Sequence, residues 1–291
     1  GYGWPPIPAR VRNRVAANGY ISMPIDKITT TGLRLEVICQ GTKPVVLNHG
    51  LHLTDVRELH GYTPWYFEGL AEDSMAEAWS QLMDKKGFFA PFGPTTAEQR
   101  HPEFKIAYIG HPCQWNGPSW PFSTSVTLTA MANLLNGAPQ KQVTKKDYFT
   151  VLRNYALSHR IEINHQERCW IDENLNPYTG DWISRTMLQR WNQKPVERGK
   201  DYNHSTFCDL VINGLIGIRP QEENNIIINP LLPENLWDWF CLENIKYHGK
   251  KLAIYWDRYS EKYKKEKGFS VVVDGVLKFN SEKIEKINIQ I

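Results

Sequence analysis

The chain has 291 residues, 41% of them hydrophobic and 22% charged, which is globular composition and excludes disordered, collagen-like and coiled-coil chains. Its 34 Lys and Arg against 31 Asp and Glu leave a net charge of +3, too small a surplus to indicate a nucleic-acid or membrane-surface partner. No run approaches the 18 or so uncharged apolar residues that a membrane-spanning helix needs.

Aromatic content is high, with 11 Trp, 13 Tyr and 11 Phe. Such a set suits either a Trp-rich core or a surface that stacks on flat apolar faces, sugar rings among them. Cysteines fall at 39, 113, 169, 208 and 241 without a CxxC pair, so neither a zinc knuckle nor a disulfide framework is expected, and free thiols are. The start, GYGWPPIP, lacks Met and a signal pattern and reads as a processed or truncated beginning.

Residues 1–60 form an unplaced N-terminal segment with short extended stretches at 32–39 and 43–48. From 61 to 218, apolar residues recur at helical spacing in 65–83, 119–135, 148–161, 182–191 and 204–218. Thr144 with Asp147 three residues on marks a helix start. The loops between, 85–118, 162–181 and 193–203, are longer than compact domains use without purpose. Beyond Arg219-Pro220 the pattern turns to strands at 225–229, 251–256, 270–273 and 283–291, with turns at His248-Gly249 and Asp274-Gly275. The expected organisation is a helical-hairpin region over 61–218 and a β-sandwich over 219–291, with KYKKEK at 262–267 as a solvated loop.

Chemistry concentrates in the loops. GPTTAEQRHP (93–102) offers Glu98, Arg100 and His101, which can orient a hydroxyl or form a structural ion pair. CQWNGPSWPFS (113–123) sets Trp115 and Trp120 around a Gly-Pro turn, either a stacking platform or a buried Trp loop. WIDENLNPYTG (170–180) puts Asp172 and Glu173 beside Trp170, where a desolvated carboxylate can serve as general acid or base. The same pair can instead bind backbone amides in a turn. His204 with Asp209 lacks the GxSxG that a serine hydrolase needs, and metal, P-loop and dinucleotide motifs are absent, so no cofactor or metal is expected.

These segments resemble a known group. CQWNGPSWP is similar to the W-x-GP-x-W segment of glycoside hydrolase family 63 and to the QWDxPNGWPP segment of family 37 trehalases. WIDENLNPYTG resembles the base-carrying loop of family 63. RELHGYTPWYF (57–67), GFFAPFGPTTAEQRHP (87–102) and KDYNHSTFCDLVINGLIGIRP (200–220) resemble mannosylglycerate-hydrolase-like members of that six-hairpin superfamily. The stretch 224–257 is similar to the β-sandwich that follows such barrels, rhamnosidases included.

The resemblance implies an (α/α)6 toroid, of which this chain holds only the second half, followed by a small β-sandwich. It implies inverting hydrolysis of an α-linked gluco- or manno-configured glycoside, with two carboxyl groups roughly 6.5–9.5 Å apart. Glu173 matches the general base. Position assigns Trp115, Trp120 and Trp170 to the subsite wall, and Gln114, Asn116, His204, Glu98 and Arg100 to hydroxyl contacts. The family's general acid lies upstream, where Asp26 and Asp55 are the carboxylates of that type and neither has the expected setting. The missing half of the ring, on a longer chain or a second polypeptide, is therefore an expected partner beside the oligosaccharide. A carbohydrate-binding or assembly fragment without catalysis is the alternative, and a helical interaction protein a third reading. Superfamily habit suggests a periplasmic or secreted location.

Overall fold

The computed structural model describes residues 57–191, 200–201, 205–222 and 224–291. The stretches expected to be extended at 32–39 and 43–48, Asp26, Asp55 and His204 lie outside them. The described residues fall within a single unit, Leu53–Ile291.

The helical part opens with a 3-10 turn, Leu59–Tyr62, running into α1 (Thr63–Tyr66) with a proline in its first turn. The helix expected over 65–83 is interrupted. Phe67 leaves helical backbone (φ −92°, ψ 98°), Gly69 takes φ +84°, and the chain resumes as a 3-10 helix at Asp73–Gln81. Ala76, Trp79 and Leu82 are all buried; their three-residue spacing matches the 3-10 period, not the α period.

α2 (Pro121–Asn136) starts on a proline and stops at Gly137. Ten of its sixteen residues are buried, Ser123, Thr124, Ser125 and Thr127 among them, so it is a core helix and not an amphipathic surface one. Three of those hydroxyls have partners: Ser123 meets His60 Nε2 at 3.0 Å, Thr124 donates to Trp120 O at 2.9 Å and Ser125 to Tyr155 OH at 3.3 Å. α3 (Lys145–Ser158) starts on the expected capping box, with Thr144 and Asp147 bonding each other's backbone N–H, and buries Tyr148, Val151, Leu152 and Tyr155 along one stripe.

Part of the loop expected at 162–181 is a hairpin, β1 (Arg160–Ile163) with β2 (Gln166–Cys169), turned by Asn164 and His165 at φ 52° and 61°. α4 (Ile183–Arg190) follows, then α5 (Ser205–Asp209), which continues into a π-helical turn, Leu210–Leu215. Gly214 sits there against Tyr148 OH, so tightly that a Cβ has no room.

The β part is antiparallel. A three-stranded sheet runs β3-β4-β9, from β3 (Ile218–Pro220), β4 (Asn225–Ile228) and β9 (Ile287–Gln290). A meander runs β5 (Trp239–Tyr247), β6 (Lys250–Asp257), β7 (Gly268–Val273), β8 (Val276–Ser281). Gly249 and Gly275 supply the positive φ that its two tight turns require. Leu252, Ile254 and Trp256 register against Val273, Val271 and Phe269, and all six are buried. The 262–267 loop is pinned rather than free, since the buried Asp257 accepts the amides of Lys262 at 3.1 Å and Tyr263 at 2.8 Å.

Helices and sheets share one core that contains Leu128, Met131 and Tyr148 together with Ile226, Ile228 and Leu231. Polar ties reinforce it: Lys145 Nζ donates to Pro230 O and Asn229 Nδ2 to Asn136 Oδ1, both at 2.7 Å.

Candidate active site

The three loops singled out for chemistry meet at one place. Ser119 and Leu175 exchange two backbone hydrogen bonds at 3.0 and 2.9 Å, which joins the Trp loop to the carboxylate loop. Thr96 Oγ1 donates to Pro118 O at 2.9 Å and accepts from Gly117 N at 3.1 Å, which joins the 93–102 loop to the Trp loop. Phe92 N donates to Pro177 O at 3.0 Å and Tyr178 OH to Gln99 Oε1 at 2.6 Å, closing the circuit. Asp201 N reaches Ile171 O at 2.9 Å.

Within the carboxylate loop the two acids separate. Asp172 is 4% exposed; its Oδ1 accepts Glu173 N at 2.8 Å and its Oδ2 accepts Trp170 Nε1 at 3.4 Å. Burial holds its carboxyl above the usual carboxylate range. Glu173 is only half-buried, and its Oε2 takes the Cys113 thiol at 3.1 Å. The turn reading therefore describes Asp172, while the Glu173 carboxylate reaches a side chain of the Trp loop.

The aromatic residues also divide. Trp120 is buried and donates Nε1 to Gln114 O at 2.7 Å. Trp115 stacks on it at 4.0 Å and is 43% exposed, so one indole backs the other. His60 lies 5.4 Å from the Trp115 ring and 6.1 Å from Phe122. A cavity of about 270 Å³ is lined by Glu58, Leu59, His60, Thr96 and Trp115. Trp170 is 8% exposed and carries Arg185 over its ring at 4.4 Å and Lys200 at 5.4 Å.

Gln114, Asn116, Glu98 and Arg100 are engaged by other groups of the protein. Gln114 donates Nε2 to Ala107 O at 2.7 Å and accepts Ala107 N at 3.2 Å. Asn116 Nδ2 donates to Glu103 O at 3.0 Å. Glu98, 3% exposed, pairs with Arg57 at 3.0 Å and Arg100 at 3.4 Å, and Arg100 also pairs with Asp84. These are the ion-pair alternative and loop braces in place of hydroxyl contacts. The sequence reading passed over His60, Cys113 and Asn174. His60 stood within the RELHGY stretch, and Asn174 directly follows Glu173; neither residue type alone announces such a contact. Among the described residues no group of three or more His, Cys, Asp or Glu could hold a metal ion.

The helical part and the antiparallel β part that follows it each match a known protein family. Residues 41–205 match the family model described as mannosylglycerate hydrolase MGH1-like glycoside hydrolase domain, and 218–275 match the glycosyl hydrolase family 65 C-terminal domain. The chain belongs to the MGH1-like glycoside hydrolase family, the first match covering more than half of it. A solved structure titled "Sialidase" superposes with a TM-score of 0.71 at 42% identity, over 80% of this chain and 20% of that one. The chain thus spans about a fifth of the length of that relative.

Proposed function

We propose that this chain carries the general-base half of an inverting glycoside hydrolase acting on an α-linked gluco- or manno-configured sugar, with Glu173 as the base. Family membership supports the reaction class. The observation that carries the assignment is the split between the two adjacent acids: Asp172 is consumed by the loop's own hydrogen bonds, while Glu173 is half-buried and lies against the loop that displays Trp115. A base that deprotonates water must reach solvent and be aimed from a rigid mount. Trp115, backed by Trp120, is the stacking wall, and His60 completes its edge.

The general acid belongs to further chain that closes the toroid. Support comes from the exposed aromatic residues beside α2: Phe122 is 42% and Tyr66 39% exposed, at a cavity of about 280 Å³ whose other walls include Tyr148, Leu210 and Arg219.

Glu173→Gln, in the full-length protein, is expected to lower kcat on an α-glucoside and α-mannoside panel by about 10²–10⁴-fold while saccharide binding persists. NMR of the first-formed anomer should show inversion. Retained turnover removes Glu173 from the role.

A further inference from the structure

The base loop and the Trp loop lie side by side with their residues in opposed order, and two side-chain contacts bind them next to Glu173. Asn174 is fully buried and its amide is bonded at both the nitrogen and the oxygen. Its Nδ2 donates to Pro112 O at 2.9 Å; its Oδ1 accepts Ser184 Oγ at 2.7 Å and Ser184 N at 3.3 Å. Its own carbonyl accepts Ile183 N at 3.1 Å. One residue thus anchors the backbone beneath Glu173 both to the Trp loop and to the first turn of α4. One position further along each loop, the Cys113 thiol donates to Glu173 Oε2 at 3.1 Å.

We propose that Asn174 and Cys113 are positioning residues for Glu173, Asn174 fixing the backbone from which the carboxylate leaves and Cys113 fixing the direction in which it points. This rests on Glu173 being the base. The logic is geometric. A carboxylate on a three-bond side chain has freedom that a water-activating base must lose, and a misplacement of about 1 Å is enough to lower the rate about 10²-fold. A buried amide has no rotamer freedom left to lose, so Asn174 sets the backbone rigidly. The thiol then selects one carboxylate orientation and leaves Oε1 for water.

The thiol itself reports on the contact. A carboxylate placed against a thiol at 3.1 Å disfavours formation of a thiolate, so removing the Glu173 charge is the perturbation to which the reactivity of this thiol responds. Among the described residues, Asp172, whose Oδ1 holds Glu173 N, and His111, whose Nδ1 accepts Cys113 N at 3.1 Å, also face this pair. Arg185 and Lys200 lie beyond, over Trp170. All four are present in every variant compared.

The test is the pH dependence of iodoacetamide alkylation at Cys113, read by peptide mass spectrometry in the full-length protein. Glu173→Gln is expected to move the Cys113 profile to lower pH by about one unit or more. Asn174→Ala is expected to move it the same way, because the two loops part, and Ser184→Ala to do so by less; the Ser184 variant serves where the Asn174 variant does not fold. On a glycoside that the parent turns over, Cys113→Ala should lower kcat about tenfold with little change in KM, and Cys113→Ser should restore most of it. An unchanged alkylation profile in Glu173→Gln overturns the thiol–carboxylate contact. A change in Asn174→Ala confined to its melting temperature overturns the role of Asn174. Full turnover by Glu173→Gln overturns the base reading instead, whatever the thiol profile does.

Discussion

Gly180 is where the base loop is most sensitive to a single methyl group. It closes the Asn-Pro-Tyr-Thr-Gly turn by donating N–H to Asn176 O at 2.8 Å, while Asn176 Oδ1 accepts Tyr178 N at 3.0 Å. Its φ is +76°, and a Cβ placed on it would stand 2.8 Å from both Cδ1 and Cε1 of Phe92. Gly180→Ala therefore meets two separate penalties. The left-handed backbone costs an L-residue about 1–2 kcal/mol, and the ring contact adds about 1–3 kcal/mol of overpacking. For a unit of this size, each kcal/mol shifts the melting temperature by about 2–4 °C, so a drop of about 4–20 °C is expected by calorimetry. A double-mutant cycle with Phe92→Ala separates the two parts: removing the ring should recover the overpacking share, leaving the backbone share in place. A Gly180→Ala melting temperature within about 2 °C of the parent refutes the reasoning. A coupling energy near zero would show that the Phe92 ring swings aside and that only the backbone part is real.

The exposure of the two stacked indoles predicts opposite phenotypes. Trp120→Ala removes a buried ring and should cost about 3–5 kcal/mol in chemical denaturation, whereas Trp115→Ala, at a 43% exposed position, should leave stability within about 1 kcal/mol yet weaken saccharide quenching of tryptophan fluorescence. Burial holds the His159 imidazole below its ordinary value, with Nε2 lacking a hydrogen-bond partner among the described residues. The unfolded chain therefore takes the proton first, and stability present above pH of about 6.5 is lost as pH falls. Melting curves of His159→Gln between pH 7 and 5 should decline less steeply than those of the parent. Asp257→Ala frees the amides of Lys262 and Tyr263, so trypsin should nick the 258–267 loop faster, at a stability cost of about 1–3 kcal/mol.

Elements with strong local signals were legible in the sequence. The Thr144 capping box and the His248-Gly249 and Asp274-Gly275 turns fall where their residue types demand, and the helix expected over 119–135 is α2, Pro121–Asn136. β5 and β8 were not legible, for a physical reason. Trp239–Tyr247 carries Cys241, Glu243, Asn244 and Lys246 with a register shift between Leu242 and Ile245, so its alternation is broken. β8 is an exposed edge strand with little apolar pattern to show. The 65–83 segment misled because a three-residue and a four-residue period look alike over one or two turns. At the site, Glu173 and the Trp pair were singled out through resemblance, and the structure brings their loops together. The ion pair of Glu98 with Arg100 was among the readings offered, whereas the partners of Gln114 and Asn116 were not legible, because a polar side chain's residue type does not say whether a backbone carbonyl 7 or 13 residues away will claim it.

Two neighbouring carboxylates, one peptide apart, end in different chemical states because the backbone turns between them. Trp170 and Ile171 go into the core, which draws Asp172 in behind them and leaves it with an indole N–H and a backbone N–H as its partners. Those two donors offset part of the burial that would otherwise make the buried charge untenable, and the residual penalty keeps its carboxyl above the usual range. Asn174, equally buried, then turns the chain toward α4, so Glu173 stands between two anchored residues and is itself the one directed outward. Buried residues flanking an outward acid hold it more rigidly than a flexible loop could, which is the condition that the proposed role of Glu173 as a base would require.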